Sequence, residues 1–192
     1  MALITAGVLL FAVAVCGTLA YVITSTLSVE NTFTPSDVAC AVLENGSEEA
    51  HYADMVNGIT EKSSVKIKNT GNTEAYIRVA LVVTWKSADG RVWAQTPVEG
   101  ESGDYTMSIS SDGWLPIGDY YYYTKPVAAG ETTKVLVNSA SLNAGKTPPV
   151  GTDGTPYYLD IEIVASAIQS TPVSVASDEW GVTVSGIEIV GW

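Results

Sequence analysis

The sequence predicts an all-β protein, a two-sheet β-sandwich of jelly-roll type preceded by an apolar, helical N-terminal segment. Three observations predict this class. Val, Thr, Ile and Tyr are abundant, and such β-branched and aromatic side chains suit a pleated, half-buried surface. Apolar and polar residues alternate with a period of two in several windows, and Gly- and Pro-containing turns separate these windows at short intervals. After the N-terminal segment, no window has the caps and the 3.6-residue period of a soluble helix.

The clearest alternation lies in the middle of the chain. In Ser64–Lys68 the apolar residues fall on one face and polar residues on the other, and the turn-forming stretch Asn69–Asn72 follows. In Ile77–Trp85 every second residue is large and apolar, while Ala80 and Val82 between them are apolar as well. A strand with two partly apolar faces is predicted to lie in the interior of a sheet.

The remaining strands are predicted on both sides of this region. Two polar stretches containing Gly, 95–113 and 143–156, are expected to be surface loops, and a single helical turn is expected near Ser177–Trp180. A turn is also expected at Asn45-Gly46-Ser47. The other predicted strands are Asp37–Leu43, Tyr120–Tyr123, Thr133–Val137, Tyr158–Ile168 and Trp180–Val190.

The N-terminal segment has the features of a signal peptide. Residues 1–29 carry no charged side chain, and an apolar run is followed by the small residues Thr18 and Ala20. A signal peptidase reads such a pattern, so cleavage is predicted between Ala20 and Tyr21.

Cleavage at this site defines the domain organisation. A signal peptide, 1–20, precedes a β-sandwich domain, 21–192, which opens with an extended segment, 21–35. The apolar run is also long enough to cross a bilayer, so a retained anchor helix is the alternative. On either interpretation, the chain is expected to contact the membrane only through this segment.

Composition excludes some classes of partner. The chain has 9 Lys and Arg against 21 Asp and Glu, a formal net charge of −12. Phosphate backbones are bound by clustered basic residues, so nucleic acid is not an expected partner. Acidity of this kind keeps an exported protein soluble. The cysteines are Cys16, in the apolar segment, and Cys40, so no disulfide is expected in the mature chain.

The sequence carries little that indicates catalysis. His51 is its one histidine, and it lies in an acidic stretch without the H-E-x-x-H pair that holds zinc. No G-x-S-x-G elbow, phosphate-binding loop or dinucleotide fingerprint occurs. The Asp-Gly pairs at Asp89, Asp112 and Asp153 lack the ladder of oxygen ligands that calcium requires. The chain is therefore predicted to be non-enzymatic, with no cofactor and no metal site.

Several blocks resemble the TasA/camelysin-like family of proteins released by the signal peptidase SipW, especially its clostridial-type branch. They occur in order along most of the chain. The blocks are Gly17–Tyr21 with Asn31–Pro35, Val65–Asn72 running into Ala75–Val79, Tyr120–Lys125 with Pro126–Val127 and Gly130–Thr132, and Ala165–Gln169 with Trp180–Val182.

The resemblance implies a secreted subunit of fibres in the extracellular or biofilm matrix, or on the cell surface, of a Gram-positive-type bacterium. Its partners would be further copies of itself or related fibre subunits, after a signal peptidase has acted during export. In such fibres the N-terminal strand of one subunit completes a sheet in its neighbour. The alternative is that this N-terminal segment pairs with a strand of its own subunit. The candidate donor residues are Tyr21, Val22, Ile23, Leu27, Val29 and Phe33.

Two other functions remain open on the sequence. Exposed aromatic rings can stack on sugars, so a monomeric adhesin or carbohydrate-binding module could use Trp114 with Tyr120, Tyr121, Tyr122 and Tyr123. Alternation places Tyr120 and Tyr122 on one face and Tyr121 and Tyr123 on the other, so at least half of these tyrosines are expected to pack in the protein. The resemblance also carries the weaker alternative of a zinc-dependent protease built around His51.

Overall fold

Antiparallel strands dominate the computed structural model, which describes residues 36–48 and 60–192. The all-β prediction is confirmed for this part of the chain, where the helical content is one short element, α1 (Ser174–Trp180). The predicted N-terminal helix lies outside the described residues. The strands are β1 (Cys40–Glu44), β2 (Ser47–Glu48), β3 (Thr60–Asn69), β4 (Ala75–Lys86), β5 (Tyr105–Ile109), β6 (Trp114–Ile117), β7 (Tyr120–Tyr123), β8 (Val137–Leu142), β9 (Tyr158–Gln169), β10 (Thr183–Ser185) and β11 (Glu188–Gly191).

The strands form two main sheets. The first has the order β2-β1-β3-β8-β5, and the second has the order β6-β7-β4-β9. The strands β10 and β11 make a separate two-stranded sheet. In the second sheet β4 lies between β7 and β9, which confirms the prediction that its two partly apolar faces place it in a sheet interior. Its pairing with β9 is long and regular, from Ala75 opposite Gln169 to Lys86 opposite Tyr158.

The two main sheets share one hydrophobic core. Because side chains alternate across a strand, every second residue of each long strand faces this core. Together these residues form a sandwich-like arrangement of two sheets with their apolar faces inward. The first sheet contributes Val65, Ile67, Val137, Ala140 and Leu142, and the second contributes Ile77, Val79, Trp85, Leu159, Ile161 and Ile163, all of them buried.

The C-terminal segment covers part of the opposite face of the second sheet. The side chains of Tyr76 and Tyr122 point away from the main core and are buried against Trp180 and Ile189. The Tyr76 hydroxyl donates a hydrogen bond of 2.9 Å to the carbonyl of Ile187. Helix α1, β10 and β11 therefore form a cap on this face. The tyrosines of β7 pack on both faces of the second sheet, against the main core on one side and against the cap on the other.

Local sequence explains the backbone geometry at two glycines, Gly46 in the β1–β2 turn and Gly181 at the C-terminal end of α1. Asn45 and Gly46 both have positive φ, 49° and 85°, which is the geometry that an Asn-Gly pair adopts between two hairpin strands. This confirms the turn predicted there. Helix α1 ends at Gly181, whose φ of 69° is left-handed and whose N–H donates to the Ser177 carbonyl at 3.0 Å.

Three sequence predictions need correction. The stretch 95–113 is more than a surface loop, since it contains β5, in which Tyr105 is buried. The strand predicted at Thr133–Val137 begins at Val137 and continues to Leu142, although Thr133 and Leu136 already donate backbone hydrogen bonds to β3. The strand predicted at Trp180–Val190 is the end of a two-turn helix followed by a short hairpin.

Candidate functional site

The second sheet ends in a long strand with one open edge. All twelve residues of β9 pair with β4 on one side. On its other side, no strand or isolated bridge among the described residues pairs with β9. The backbone N–H and C=O groups along such an edge can bind an added strand.

The first sheet is also partly open at this side of the sandwich. Strand β1 pairs along its length with β3, from Cys40 opposite Asn69 to Glu44 opposite Val65. On its other edge, β2 pairs only with Leu43 and Glu44. Within the described ranges, the edge of β1 from Cys40 to Val42 therefore has no strand beside it.

A cleft of about 430 Å³ lies between these two edges. The two strands contribute equally to its apolar lining, and the lining also includes two carboxylates, Glu48 and Glu162. The apolar lining residues are Cys40, Ala41, Val42, Ile163, Val164 and Ala165. We call this region the β1–β9 cleft.

Cys40 lies in the β1–β9 cleft as a free thiol. It forms no disulfide with any described residue, and it is partly buried. Burial raises the pKa of the Cys40 thiol above its ordinary value, because the thiolate is poorly solvated there. Cys40 is thus a small apolar side chain of the cleft wall with low intrinsic reactivity.

The predicted aromatic patch is largely packing. Trp114 and Tyr122 are 3% and 1% exposed, so neither ring is available to stack on a ligand. Trp114 packs edge-on against Tyr123 at 5.1 Å between ring centroids, and its indole N–H donates to the Lys134 carbonyl. Tyr121 and Tyr123 are half-buried against the main core. Burial of Trp114 and Tyr122 corrects their assignment to an exposed patch.

Tyr120 completes an aromatic and cationic stack on the cap side. The Arg78 guanidinium carbon lies 4.3 Å from the Tyr120 ring centroid and 4.7 Å from that of Trp180. Tyr122 contacts Trp180 edge-on at 5.6 Å. Cation–π contacts of this kind fix the cap against the sheet, so half-buried Tyr120 also has a structural partner.

The loops at one end of the sandwich are tied together by charged groups. The Arg91 side chain donates to the carboxylates of Asp89 and Asp153 at 2.9 and 3.0 Å and to the Thr155 hydroxyl at 2.7 Å. Hydrogen bonds to Thr155 and then the Arg91 guanidinium hold the pKa of Asp153 well below its usual range. The Asp-Gly pairs at Asp89 and Asp153 are thus turns joined by arginine, consistent with their interpretation as plain turns.

A second cleft, of about 570 Å³, opens beside these loops. Trp85 and Trp93 line it together with polar side chains. The sequence alone predicts no role in binding for these tryptophans. The signal that could have identified them was a second tryptophan, Trp93, three residues after Gly90 of the Asp-Gly turn that follows Trp85.

Several predicted residues lie outside the described part of the chain. These are the cleavage pair Ala20 and Tyr21, His51, and the candidate donor residues Tyr21, Val22, Ile23, Leu27, Val29 and Phe33. In the described ranges, 36–48 and 60–192, no group of three or more His, Cys, Asp or Glu side chains is placed to hold a metal ion. Helix α1, the one helix described, is too short to cross a membrane.

Comparisons with known proteins return no relative. No family model, no curated protein and no solved structure matches the chain.

Proposed function

We propose that the chain is a secreted structural subunit of extracellular or biofilm matrix fibres, a jelly-roll sandwich that assembles by N-terminal donor-strand complementation. The observation that carries the proposal is the open side of the sandwich, where no described strand pairs with the outer edge of β9 or with Cys40–Val42 of β1, and where these edges border an apolar cleft. In this proposal, residues 21–33 of one copy add a strand at the β1–β9 cleft of the next.

The lengths of donor and acceptor agree. A β-strand rises about 3.3 Å per residue, so β9 presents an edge of about 40 Å and residues 21–33 extend to about 43 Å. The donor can therefore pair with most of β9 without a gap. An added strand that satisfied so many backbone groups would dissociate slowly.

The pattern of the donor segment also suits the β1–β9 cleft, whose lining is mainly apolar. Its large apolar residues fall mostly at odd positions, while the even positions from Thr24 to Thr32 are polar. A strand with this period presents one apolar face and one polar face. The odd-numbered apolar residues are Tyr21, Ile23, Leu27, Val29 and Phe33.

The jelly-roll class is supported by the connections between the sheets. From β3 to β9 the chain passes from one main sheet to the other at every connection except the β6–β7 hairpin. Such repeated crossing is typical of Greek-key and jelly-roll sandwiches.

Electron microscopy of two purified chains tests the proposal. The chain from Tyr21 to Trp192 is expected to form fibres, whereas a chain beginning at Thr34 is expected to remain monomeric because it lacks the donor. Fibres from the shorter chain would contradict donor-strand assembly. A longer chain that stays monomeric and unfolds at higher denaturant concentration than the shorter one would instead show pairing of residues 21–33 within their own subunit.

A further inference from the structure

The second cleft carries an inference independent of fibre assembly. It lies at the loop end of the sandwich, where Trp85 ends the inward-facing series of β4. Trp85 is almost fully buried at 5% exposure and Trp93 is half-buried, and their two indoles are the aromatic side chains of the lining. The rest of the lining is mainly polar or small and comprises Ala94, Gln95, Thr96, Val98, Asp104, Thr147 and Pro149.

The walls of this cleft are held in place by specific contacts. The backbone N–H of Trp93 donates to the backbone carbonyl of Trp85 at 2.9 Å. The Trp93 ring packs edge-on against Tyr157, with 5.1 Å between the ring centroids. Tyr157 in turn donates its N–H to the carbonyl of Pro149, on the facing wall, at 3.1 Å. The cleft is therefore shaped before any ligand arrives, which lowers the entropic cost of binding.

A further set of hydrogen bonds fixes the polar side of the cleft. The Asp104 carboxylate accepts from the Val98 N–H at 2.9 Å. The Asn143 side-chain amide donates to the carbonyls of Gly100 and Gly103 at 2.8 and 3.0 Å. Asp104 is thus held at the cleft, and a carboxylate has lone pairs for more than one donor.

This chemistry fits a neutral sugar. The face of an indole carries negative charge density, and the C–H groups along one side of a sugar ring present weak positive charge to it. Gln95, Thr96, Thr147 and Asp104 offer the amide, hydroxyl and carboxylate groups that pair with sugar hydroxyls. The lining contains one carboxylate and no Lys or Arg among its described residues, so an anionic sugar would meet repulsion without compensation.

We propose that the Trp85–Trp93 cleft is a binding site for a neutral oligosaccharide, with Trp93 as the stacking surface and Gln95 and Asp104 as hydrogen-bonding partners of the sugar hydroxyls. The site differs from the Tyr120–Tyr123 patch expected from the sequence. It would give a matrix protein a contact with neutral polysaccharide at a cleft that shares no lining residue with the β1–β9 cleft.

Isothermal titration of the chain from Tyr21 to Trp192 tests this proposal. The probes are cellohexaose, laminarihexaose and chitohexaose as neutral oligosaccharides, and an oligogalacturonate as the anionic comparison. Saturable, submillimolar binding of at least one neutral probe is expected. Trp93→Ala should weaken it about 30-fold, as expected for removing an aromatic side chain at the centre of an interface.

Two further variants separate binding from folding. Gln95→Ala changes an exposed side chain and is expected to weaken binding about fivefold with an unchanged unfolding transition. Trp192→Ala removes an indole that is 72% exposed and lies against Gly118 and Gly181, so it should leave affinity unchanged. If Trp93→Ala does not fold, Gln95→Ala and Trp192→Ala decide the outcome. The proposal is overturned if no neutral probe binds, if Gln95→Ala binds as well as the unaltered chain, or if the anionic probe binds more tightly.

Discussion

Val164→Lys is expected to prevent fibre formation while leaving the monomer folded. Val164 lines the β1–β9 cleft on the edge strand β9 and is 43% exposed. A lysine on an edge strand opposes the addition of another strand, because the incoming chain must desolvate or displace the charge. Since the side chain is already exposed, the free energy of unfolding should change by no more than about 0.5 kcal/mol.

Sedimentation and electron microscopy measure the effect on assembly. The concentration at which fibres first appear should rise about tenfold or more, which corresponds to a loss of about 1.4 kcal/mol in each subunit contact. Unfolding in urea checks that the fold is retained, measured at a protein concentration at which both the variant and the unaltered chain are monomeric.

Val82→Lys is the matched control for this prediction. Val82 is the same residue type with nearly the same exposure, 42%, and it lies on the same face of the second sheet. It belongs to β4, however, where it pairs with Glu162 of β9, and it is not among the residues that line the β1–β9 cleft. Fibres should therefore form normally from Val82→Lys. If the two variants lose assembly equally, the effect comes from the sheet face or from net charge, and the β9 edge is not the acceptor.

Trp180→Ala is expected to cause the largest loss of stability among the substitutions considered. Trp180 is 7% exposed at the end of α1, contacts Tyr122 edge-on and lies under the Arg78 guanidinium. Replacing a buried tryptophan by alanine costs about 3–5 kcal/mol, through lost apolar burial and an unfilled cavity. A domain of this size is stable by about 5–15 kcal/mol, so the midpoint of urea unfolding should fall sharply.

The same substitution at Trp192 provides the control. Trp192 follows β11 in the same C-terminal segment and is 72% exposed, so Trp192→Ala should change the free energy of unfolding by no more than about 0.5 kcal/mol. If the two variants lost nearly the same free energy of unfolding, the cap would not be packed through Trp180. An unaltered midpoint for Trp180→Ala would show that the cap contributes nothing to the stability of the sandwich.

The sequence predicts long, regular strands well and short ones poorly. Strands β4 and β9 were found because an unbroken period of two over many residues has no competing helical interpretation. Strand β5 was missed even though Tyr105, Met107 and Ile109 alternate with Thr106 and Ser108, because its neighbours are polar and rich in Gly. Five residues of alternation do not stand out against such a background.

Helix α1 was underestimated for a different reason. Its two turns are too short to be stable alone, and it exists because Ala176 and Trp180, four residues apart, are buried together against the second sheet. The same packing explains the burial of Tyr122, which alternation places on the face that the cap covers. Sequence spacing gives the face of a strand, but it does not tell which distant segment covers that face.

The candidate sites depend on strand order, which the sequence does not determine. Among the described strands, β9 pairs only with β4, which leaves its other edge open. The cleft forms because β1 of the other sheet lies beside this edge. Cys40 and Ala165 are more than a hundred residues apart in the chain, yet both line this cleft. Likewise, the Trp85–Trp93 cleft requires the 147–149 loop as its opposite wall. The candidate donor segment, by contrast, was predicted from its local sequence alone.

Disulfide trapping between two different chains tests the central claim most directly. One chain begins at Thr34 and keeps Cys40, so it offers a β1–β9 cleft and no donor. The other begins at Tyr21, carries Cys40→Ser, and has a single cysteine placed in turn at Ile23, Leu27 or Val29. Oxidation with copper phenanthroline is run near pH 9, because burial raises the pKa of the Cys40 thiol and a larger thiolate fraction is needed for reaction.

Donor-strand assembly at the β1–β9 cleft predicts a disulfide-linked heterodimer for at least one of the three positions. A much weaker one is expected for Val150→Cys, because Val150 is exposed and does not line this cleft. Donor-strand assembly would be contradicted by the absence of a heterodimer at all three positions, or by equal trapping through Val150→Cys. It would also be contradicted if trapping occurred only within a single chain that carries both Cys40 and the donor cysteine, since residues 21–33 would then complete their own subunit.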